Sequence, residues 1–232
     1  MITDEEKYLM GRLTAGPVTD QPKDAYSAGV QYLGFDSRKD GNIYVPVGYC
    51  PTRPAALAVM LHGAGGTAEH GISYLGKYAD DHTIILLAPA SRSSSWDIIS
   101  YNSFGPDVVF IDRALNLVFE RYVIDTSHIA IGGFSDGASY ALSLGLSNGD
   151  LFTHVIAFSP GFVYTKEMTG KPSVFISHGT KDPILPINPC SRRVKSQLER
   201  LDYNLNYTEF EGEHDIPANI SGGAVEWFIK SP

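Results

Sequence analysis

The chain has 232 residues, a length that suits one α/β domain better than two. Hydrophobic residues make up 43% and charged residues 19%, so the composition provides a core and shows no disorder signature. The net charge of −8 argues against a nucleic acid or an anionic membrane as the main partner, because both require a basic surface.

The sequence also indicates where the protein is located and whether it binds a cofactor. Its apolar runs reach only strand length, so no membrane span is expected. The polar, acidic N-terminus shows no signal peptide, and we expect a cytoplasmic protein. The sequence contains no H-E-x-x-H, C-x-x-C or G-x-x-x-x-G-K-[ST] motif, so neither a metal nor a cofactor is expected. The sequence leaves open the oligomeric state and whether Cys50 and Cys190 form a disulfide.

In chain order, a capping box at residues 3–6 predicts a short N-terminal helix. We interpret residues 1–24 as an N-terminal extension and residues 25–232 as one domain. Short apolar runs predict strands at residues 31–35, 42–47, 55–62, 83–88, 128–134, 154–158, 173–177 and 206–210. The first two of these strands, with a turn between them, are expected to form a hairpin. Apolar periodicity predicts helices over residues 108–122, 135–146, 191–201 and 217–229. Strands alternating with helices predict an α/β fold, in which a mostly parallel central sheet has helices on both faces.

One pentapeptide carries a possible nucleophile. Residues 133–137 read G-F-S-D-G, with a predicted strand before them and a predicted helix after them. This context is typical of a nucleophile elbow, in which glycines allow a tight turn around the serine. A plain glycine-rich turn between strand and helix is the alternative. The candidate nucleophile is Ser135.

A serine hydroxyl needs a base to take its proton and an acid to orient that base. Asp182 follows the strand at residues 173–177, and His214, the only histidine after Asp182, follows the strand at residues 206–210. The carboxyl ends of strands in an open α/β sheet meet at one edge, where such sheets place their sites. We therefore predict a catalytic triad of Ser135, Asp182 and His214.

The tetrahedral intermediate needs hydrogen-bond donors for its oxyanion. Residues 62–66 read H-G-A-G-G and follow a predicted strand, as in the glycine-rich loops that supply such donors. The expected donors are the backbone N–H groups of Ala64 and Asp136. Residues 63–68 also fit a dinucleotide-binding fingerprint, but the next predicted strand does not end in the acidic residue that this fingerprint requires.

These motifs resemble those of α/β-hydrolases of the phospholipase/carboxylesterase group, which includes acyl-protein thioesterases. They are also similar to small bacterial esterases related to feruloyl esterases and polyhydroxybutyrate depolymerases. The resemblance extends over about residues 33–228 and includes the S-W-D sequence at residues 95–97. It implies the α/β-hydrolase fold, the same triad and the same oxyanion hole. Acyl-protein thioesterases usually carry Gln at the position of Asp136, which weakens a protein-deacylating function.

Aromatic and aliphatic residues in two regions could wall an acyl pocket, although they could equally pack their loops onto the domain. These residues are Trp96, Tyr101, Phe162, Ile184 and Leu185. The intervals between the predicted core elements are too short for a large cap domain.

We therefore expect a serine carboxylic-ester hydrolase that acts through an acyl-enzyme on small-molecule esters with short to medium acyl or aromatic groups. A lysophospholipase or acyl-protein thioesterase is one alternative. A non-catalytic ligand-binding protein on a hydrolase scaffold is another, although such a protein should have lost a member of the triad.

Overall fold

The computed structural model describes residues 3–18 and 27–230, and the predicted boundary at residue 24 lies outside them. Within the described residues one sheet of eight strands runs through the molecule. The strands are β1 (Gly29–Tyr32), β2 (Asn42–Val45), β3 (Ala55–Leu61), β4 (Ile84–Ala88), β5 (Ile124–Phe134), β6 (His154–Phe158), β7 (Ser173–Gly179) and β8 (Leu205–Phe210).

The strands lie in the order β1-β2-β4-β3-β5-β6-β7-β8. β1 pairs antiparallel with β2, and β2 pairs antiparallel with β4. All other neighbouring strands are parallel. The predicted mostly parallel sheet and the hairpin at its start are confirmed.

Seven helices accompany the sheet in the described part of the chain. They are α1 (Asp4–Leu9), α2 (Ala68–His82), α3 (Asp97–Ser100), α4 (Pro106–Arg121), α5 (Asp136–Ser147), α6 (Ser191–Arg200) and α7 (Ala218–Lys230). α1 begins with the predicted capping box, in which Thr3 and Glu6 satisfy each other's backbone N–H groups. The four helices predicted from periodicity are confirmed with small shifts at their ends, whereas α2 and α3 were not predicted.

The helices cover both faces of the sheet. α2 and α7 pack on one face, and α4, α5 and α6 pack on the other, so that two apolar cores form. β3 lies inside the sheet, and all seven of its residues are buried. A strand covered on both faces reads as a continuous apolar run, which explains why the sequence shows β3 so clearly.

The N-terminal segment packs against α4. The buried carboxylate of Asp112 accepts hydrogen bonds from the backbone N–H groups of Thr14 and Ala15 at 2.7 and 2.8 Å. It also accepts hydrogen bonds from the hydroxyl groups of Tyr8 and Thr14. Ala15 is buried in the core on that face of the sheet. The described part of the predicted extension, residues 3–18, therefore shares the core of the domain.

Both cysteines are free thiols, Cys50 half-buried and Cys190 buried. Residues 3–18 and 27–230 contain no cluster of three histidine, cysteine or carboxylate side chains that could hold a metal ion. None of the helices in these ranges is both long and apolar enough to cross a membrane.

Candidate active site

The turn between β5 and α5 holds Ser135 in an unusual backbone conformation, with φ 57° and ψ −119°. A positive φ is uncommon for a residue other than glycine and stores strain. The Ser135 N–H donates to the carbonyl of Phe158 in β6 at 2.9 Å, which fixes the turn to the sheet. A Cβ at Gly133 would lie 2.6 Å from the Gly137 carbonyl oxygen, and one at Gly137 would overlap the backbone of Leu61. The two glycines therefore make this sharp turn possible.

The structure brings the three residues of the predicted triad together. His214 Nε2 lies 2.9 Å from Ser135 Oγ, and His214 Nδ1 lies 2.5 Å from Asp182 Oδ2. Ser135 follows β5, Asp182 follows β7 and His214 follows β8, so all three lie at the carboxyl edge of the sheet. The geometry matches a nucleophile hydrogen-bonded to a base that is oriented by an acid.

The surroundings of Asp182 keep its carboxyl group ionised. Burial raises the pKa of Asp182, but hydrogen bonds from the Leu185 N–H, from His214 and from the Ile184 N–H outweigh it, so the pKa is lowered overall. An ionised carboxylate only accepts hydrogen bonds, so His214 Nδ1 must donate to it. His214 Nε2 is then the acceptor for the Ser135 hydroxyl.

A second histidine, His178, also lies beside Asp182. Its Nε2 donates to the carbonyl of Leu185 at 2.8 Å and lies 3.2 Å from Asp182 Oδ2. Burial lowers the pKa of His178, so the imidazole is neutral at neutral pH. His178 therefore supports the loop after β7 and is fully shielded from solvent.

The two segments that carry the predicted oxyanion donors adjoin the nucleophile. Gly63 lies against the serine, and a Cβ built on Gly63 would be 3.5 Å from the Cβ of Ser135. The backbone N–H groups of Ala64 and Asp136 have no acceptor within the described residues. Asp136 is the first residue of α5, where the helix dipole also favours a negative charge. Both N–H groups are therefore free to receive an oxyanion.

Trp96 does not line the substrate pocket, and this prediction is wrong. Its side chain is fully buried, with its ring 4.8 Å from the ring of His62 and 5.2 Å from the ring of Tyr140. Its Nε1–H donates to the His62 carbonyl at 2.8 Å. Removing this large apolar ring from water and satisfying its N–H stabilise the loop against the domain, so no surface is left for a ligand.

The other predicted pocket residues remain accessible. Tyr101, Phe162 and Ile184 expose 60%, 39% and 66% of their surface, and Leu185 is half-buried. Ile184 and Leu185 donate backbone hydrogen bonds to Asp182 and so lie beside the triad. A Cβ built on Gly161 would lie 3.5 Å from the Leu185 side chain, so the neighbouring Phe162 lies near Leu185 as well. Whether these residues contact a substrate stays a prediction.

A cavity of about 360 Å³ opens beside His214, and sequence reasoning missed it. Phe134 packs against the His214 ring at 4.6 Å, and Tyr74 of α2 packs edge-on against Phe134 at 6.0 Å. The cavity is lined by Ser73, Tyr74, Lys77, Phe134, His214, Asp215, Ile216, Ala218 and Ser221. Aromatic and aliphatic walls with polar groups at the rim are typical of sites for small ligands.

Comparison with protein families identifies one match. The model of the family described as Phospholipase/Carboxylesterase matches residues 109–228, just over half of the chain. Among curated proteins, a similar relative is feruloyl esterase C of Emericella nidulans. It is 26% identical over 152 residues, which cover 62% of this chain and 55% of the relative. The chain thus spans about half the length of the curated relatives it matches.

Solved structures show the same fold. A phospholipase/carboxylesterase from Dyadobacter fermentans superimposes with a TM-score of 0.61 at 22% identity, covering 90% of this chain and 99% of that one. A ferulic acid esterase from the anaerobic fungus Anaeromyces mucronatus superimposes with a TM-score of 0.61 at 19% identity, covering 94% of both chains. At such low identity these similarities define the architecture alone.

Proposed function

The chain belongs to the phospholipase/carboxylesterase family, and from this premise we propose that it is a serine carboxylic-ester hydrolase that works through an acyl-enzyme. The observation that supports this most strongly is the continuous hydrogen-bonded path from Ser135 Oγ through His214 to Asp182. Nucleophile, base and orienting acid are within hydrogen-bonding distance without any rearrangement.

In the first half of the reaction, Ser135 Oγ attacks the ester carbonyl carbon while His214 Nε2 takes the hydroxyl proton. The carbonyl oxygen becomes an oxyanion, which the N–H groups of Ala64 and Asp136 stabilise. When the tetrahedral intermediate collapses, His214 gives its proton to the alcohol oxygen and the carbon–oxygen bond breaks. Asp182 stays ionised and stabilises the imidazolium that forms in between.

In the second half, water takes the place of the alcohol. His214 removes a proton from the water as it attacks the acyl carbonyl, and a second tetrahedral intermediate forms in the same oxyanion hole. Its collapse returns the proton to Ser135 and releases the carboxylic acid. Both halves use the same donors, and the alcohol takes part only in the first.

This mechanism indicates where the alcohol part and the acyl part of the ester bind. The alcohol oxygen must lie near His214 Nε2 to receive the proton, so the alcohol part of the ester extends into the cavity beside His214. The acyl group then points to the opposite side, toward Phe162, Ile184 and Leu185. These side chains present an open, partly apolar surface.

The proposed substrates are small esters with short to medium acyl or aromatic groups. The names of the curated relatives, feruloyl esterases, point to aromatic acyl groups, which the exposed apolar side chains on the acyl side can contact. Lysophospholipids and thioesters are the alternatives. A panel of p-nitrophenyl esters, a methyl hydroxycinnamate, a lysophospholipid and an acyl thioester separates these classes by their relative kcat/KM.

The nucleophile is tested by Ser135→Ala. We expect ester turnover to fall to the residual level that binding and the oxyanion hole sustain, with an unchanged fold, because the variant lacks a single oxygen atom. Asp182→Asn should lower kcat by orders of magnitude, since it removes the orienting charge. A fluorophosphonate should label the parent enzyme at Ser135.

Ser127→Ala is the matched control, because Ser127 is an exposed serine bonded to Asp125 and lies outside the site. It should keep both turnover and labelling. Full turnover by Ser135→Ala, or labelling of any other residue, would refute the assignment of the nucleophile.

A further inference from the structure

A short stretch of the loop before α4 contacts both halves of the predicted oxyanion hole. This bridging segment consists of Ser94, Ser95 and Trp96. On one side it holds the glycine-rich loop: Gly65 N–H donates to the Ser94 carbonyl at 2.8 Å, and the Trp96 Nε1–H donates to the His62 carbonyl at 2.8 Å. Ala64, the first oxyanion donor, lies between these two attachment points.

On the other side, the bridging segment holds the start of α5. Ser95 Oγ donates to Asp136 Oδ2 at 2.5 Å, and Asp136 provides the second oxyanion donor through its N–H. The ring of Trp96 stacks on Tyr140, one helical turn after Asp136, with ring centroids 5.2 Å apart. The same ring also contacts the ring of His62, with centroids 4.8 Å apart. One indole therefore packs between the two elements that carry the donors.

Hydrogen bonds to both ring nitrogens of His62 fix the start of the glycine-rich loop. His62 Nε2 accepts from the Ser91 N–H at 3.0 Å, and His62 Nδ1 donates to the Gly63 carbonyl at 2.7 Å. The hydrogen bond of Trp96 is buried and that of Ser95 is partly buried, so water competes little with the first, and the second is partly shielded from water. The bond from Ser95 to a carboxylate is of the charge-assisted kind, which is the stronger class.

The spacing of the two donors matters for the reaction. An oxyanion hole is effective when both N–H groups lie about 2.7–3.1 Å from the position that the oxyanion will occupy. The two donors belong to separate elements, the loop after β3 and the turn after β5, and the bridging segment contacts both. A shift of about 1 Å at such a site can lower the rate on the order of 100-fold.

We propose that the bridging segment sets the distance between the Ala64 and Asp136 N–H groups, and that Ser95 is a positioning residue for the transition state. This inference rests on the proposed acyl-enzyme mechanism. Within the described residues Ser95 makes no hydrogen bond to Ser135, and it acts through Asp136.

The first test is Ser95→Ala. We expect kcat to fall by about 10- to 100-fold, less than the loss of a whole donor, while KM changes little, because the substrate carbonyl needs the donors less than the oxyanion does. A trifluoromethyl ketone, which forms a tetrahedral adduct with the nucleophile, should lose affinity by a similar factor. Ser103→Ala, a serine substitution in the same loop outside the bridging segment, is the matched control and should change neither quantity.

The second test approaches the same hydrogen bond from the other partner. Asp136→Ala keeps the backbone N–H but removes the acceptor of Ser95, so it should lower kcat and inhibitor affinity by factors similar to those of Ser95→Ala. The double variant should be no worse than the poorer single variant, because both changes break one interaction. If Ser95→Ala does not fold, Asp136→Ala alone tests the role of this hydrogen bond.

A role of Ser95 in stability alone would lower the melting temperature and leave kcat, KM and inhibitor affinity unchanged. That result, or additive losses in the double variant, would overturn the inference. The two proposals fail differently. If Ser135→Ala retained full turnover, the acyl-enzyme mechanism would be wrong. If Ser135→Ala were inactive while Ser95→Ala matched the parent enzyme, the role of the bridging segment alone would be wrong.

Discussion

Tyr74 links the glycine-rich loop at residues 62–66 to the cavity beside His214. Its ring packs edge-on against Phe134, which in turn packs against His214. Burial raises the pKa of Tyr74, and a backbone hydrogen bond from Gly63 acts in the opposite direction, so that the net pKa lies above its usual value and the phenol is neutral. In the proposed mechanism, the Tyr74 ring is therefore a neutral wall for the alcohol part of the ester.

Tyr74→Ala tests this role. For esters that share one acyl group, kcat/KM of the phenyl ester should fall about tenfold, a loss of about 1.4 kcal/mol of aromatic contact, while the methyl ester changes little. The deacylation rate, measured after a pre-steady-state burst, should stay constant because the acyl-enzyme no longer contains the alcohol. Tyr74→Phe, which keeps the ring, should resemble the parent enzyme. Equal losses for both esters, or slower deacylation, would argue against an alcohol site here.

At the scale of elements, two buried carboxyl groups join α4 to the loop that contains the bridging segment. Asp107 Oδ2 accepts from the Asp97 N–H at 2.7 Å, and Asp97 Oδ2 accepts from the Asp107 N–H at 3.0 Å. Asp107 Oδ1 also accepts from the Arg92 N–H at 2.6 Å. Burial and then the charge of Asp97 raise the pKa of Asp107 to about 7. Burial raises the pKa of Asp97 as well.

These raised pKa values predict how stability depends on pH. The folded state holds a proton on Asp107 up to about pH 7, whereas the unfolded chain releases it near the ordinary aspartate pKa of 3.8. The contribution of Asp107 to the free energy of unfolding is therefore complete below the unfolded pKa, and it is lost as the pH rises through about 7. The full loss is on the order of 4 kcal/mol, at about 1.4 kcal/mol for each pH unit between the two pKa values.

Urea unfolding at pH 5 and pH 8 measures this effect. Asp107→Asn cannot ionise, so it should lose less stability than the parent enzyme between these two values, even if it is less stable at both. Parallel changes in the free energy of unfolding for parent and variant would show that Asp107 does not titrate in this range.

The strands of this fold could be predicted from the sequence, whereas two helices, α2 and the four-residue α3, could not. Parallel strands that are buried on both faces, such as β3 and β6, appear as uninterrupted apolar runs. α2 buries only a narrow stripe of small and aliphatic residues between polar ones, and two glycines interrupt it. This stripe consists of Ala68, Gly71, Ile72, Leu75 and Ala79. The cavity beside His214 was missed because α2 forms one of its walls.

In the candidate site, too, some residues could be located from the sequence and others could not. Ser135, Asp182 and His214 could be located because each directly follows a strand, and parallel strands end at one edge of the sheet. Trp96 could not be assigned, because a loop aromatic residue can face a ligand or the core. Its burial depends on stacking with His62 and Tyr140, which are distant in sequence and adjacent only after folding.

At the scale of the whole molecule, the connections around the site are short. β6 is followed directly by β7, and within the described residues no helix lies between them. The loop between β4 and α4 contains only the four-residue helix α3, and it is fixed to the domain by Trp96 and by the pair of carboxyl groups. The described residues consequently form no large cap over the site, and Phe162 and Ile184, on the proposed acyl side, are open to solvent.

This open site determines the expected selectivity for acyl chains. Each methylene that an apolar surface buries contributes about 0.8 kcal/mol, or about fourfold in kcat/KM, and the gain ends where the surface ends. Across p-nitrophenyl esters from acetate to palmitate, kcat/KM should therefore rise over the short chains and level off or fall at medium length. Turnover of tributyrin should increase smoothly through its solubility limit, since no lid has to open at an oil–water interface. A steady rise to long chains together with a jump in rate at that limit would contradict the open site, because only a movable cover responds to an interface in this way.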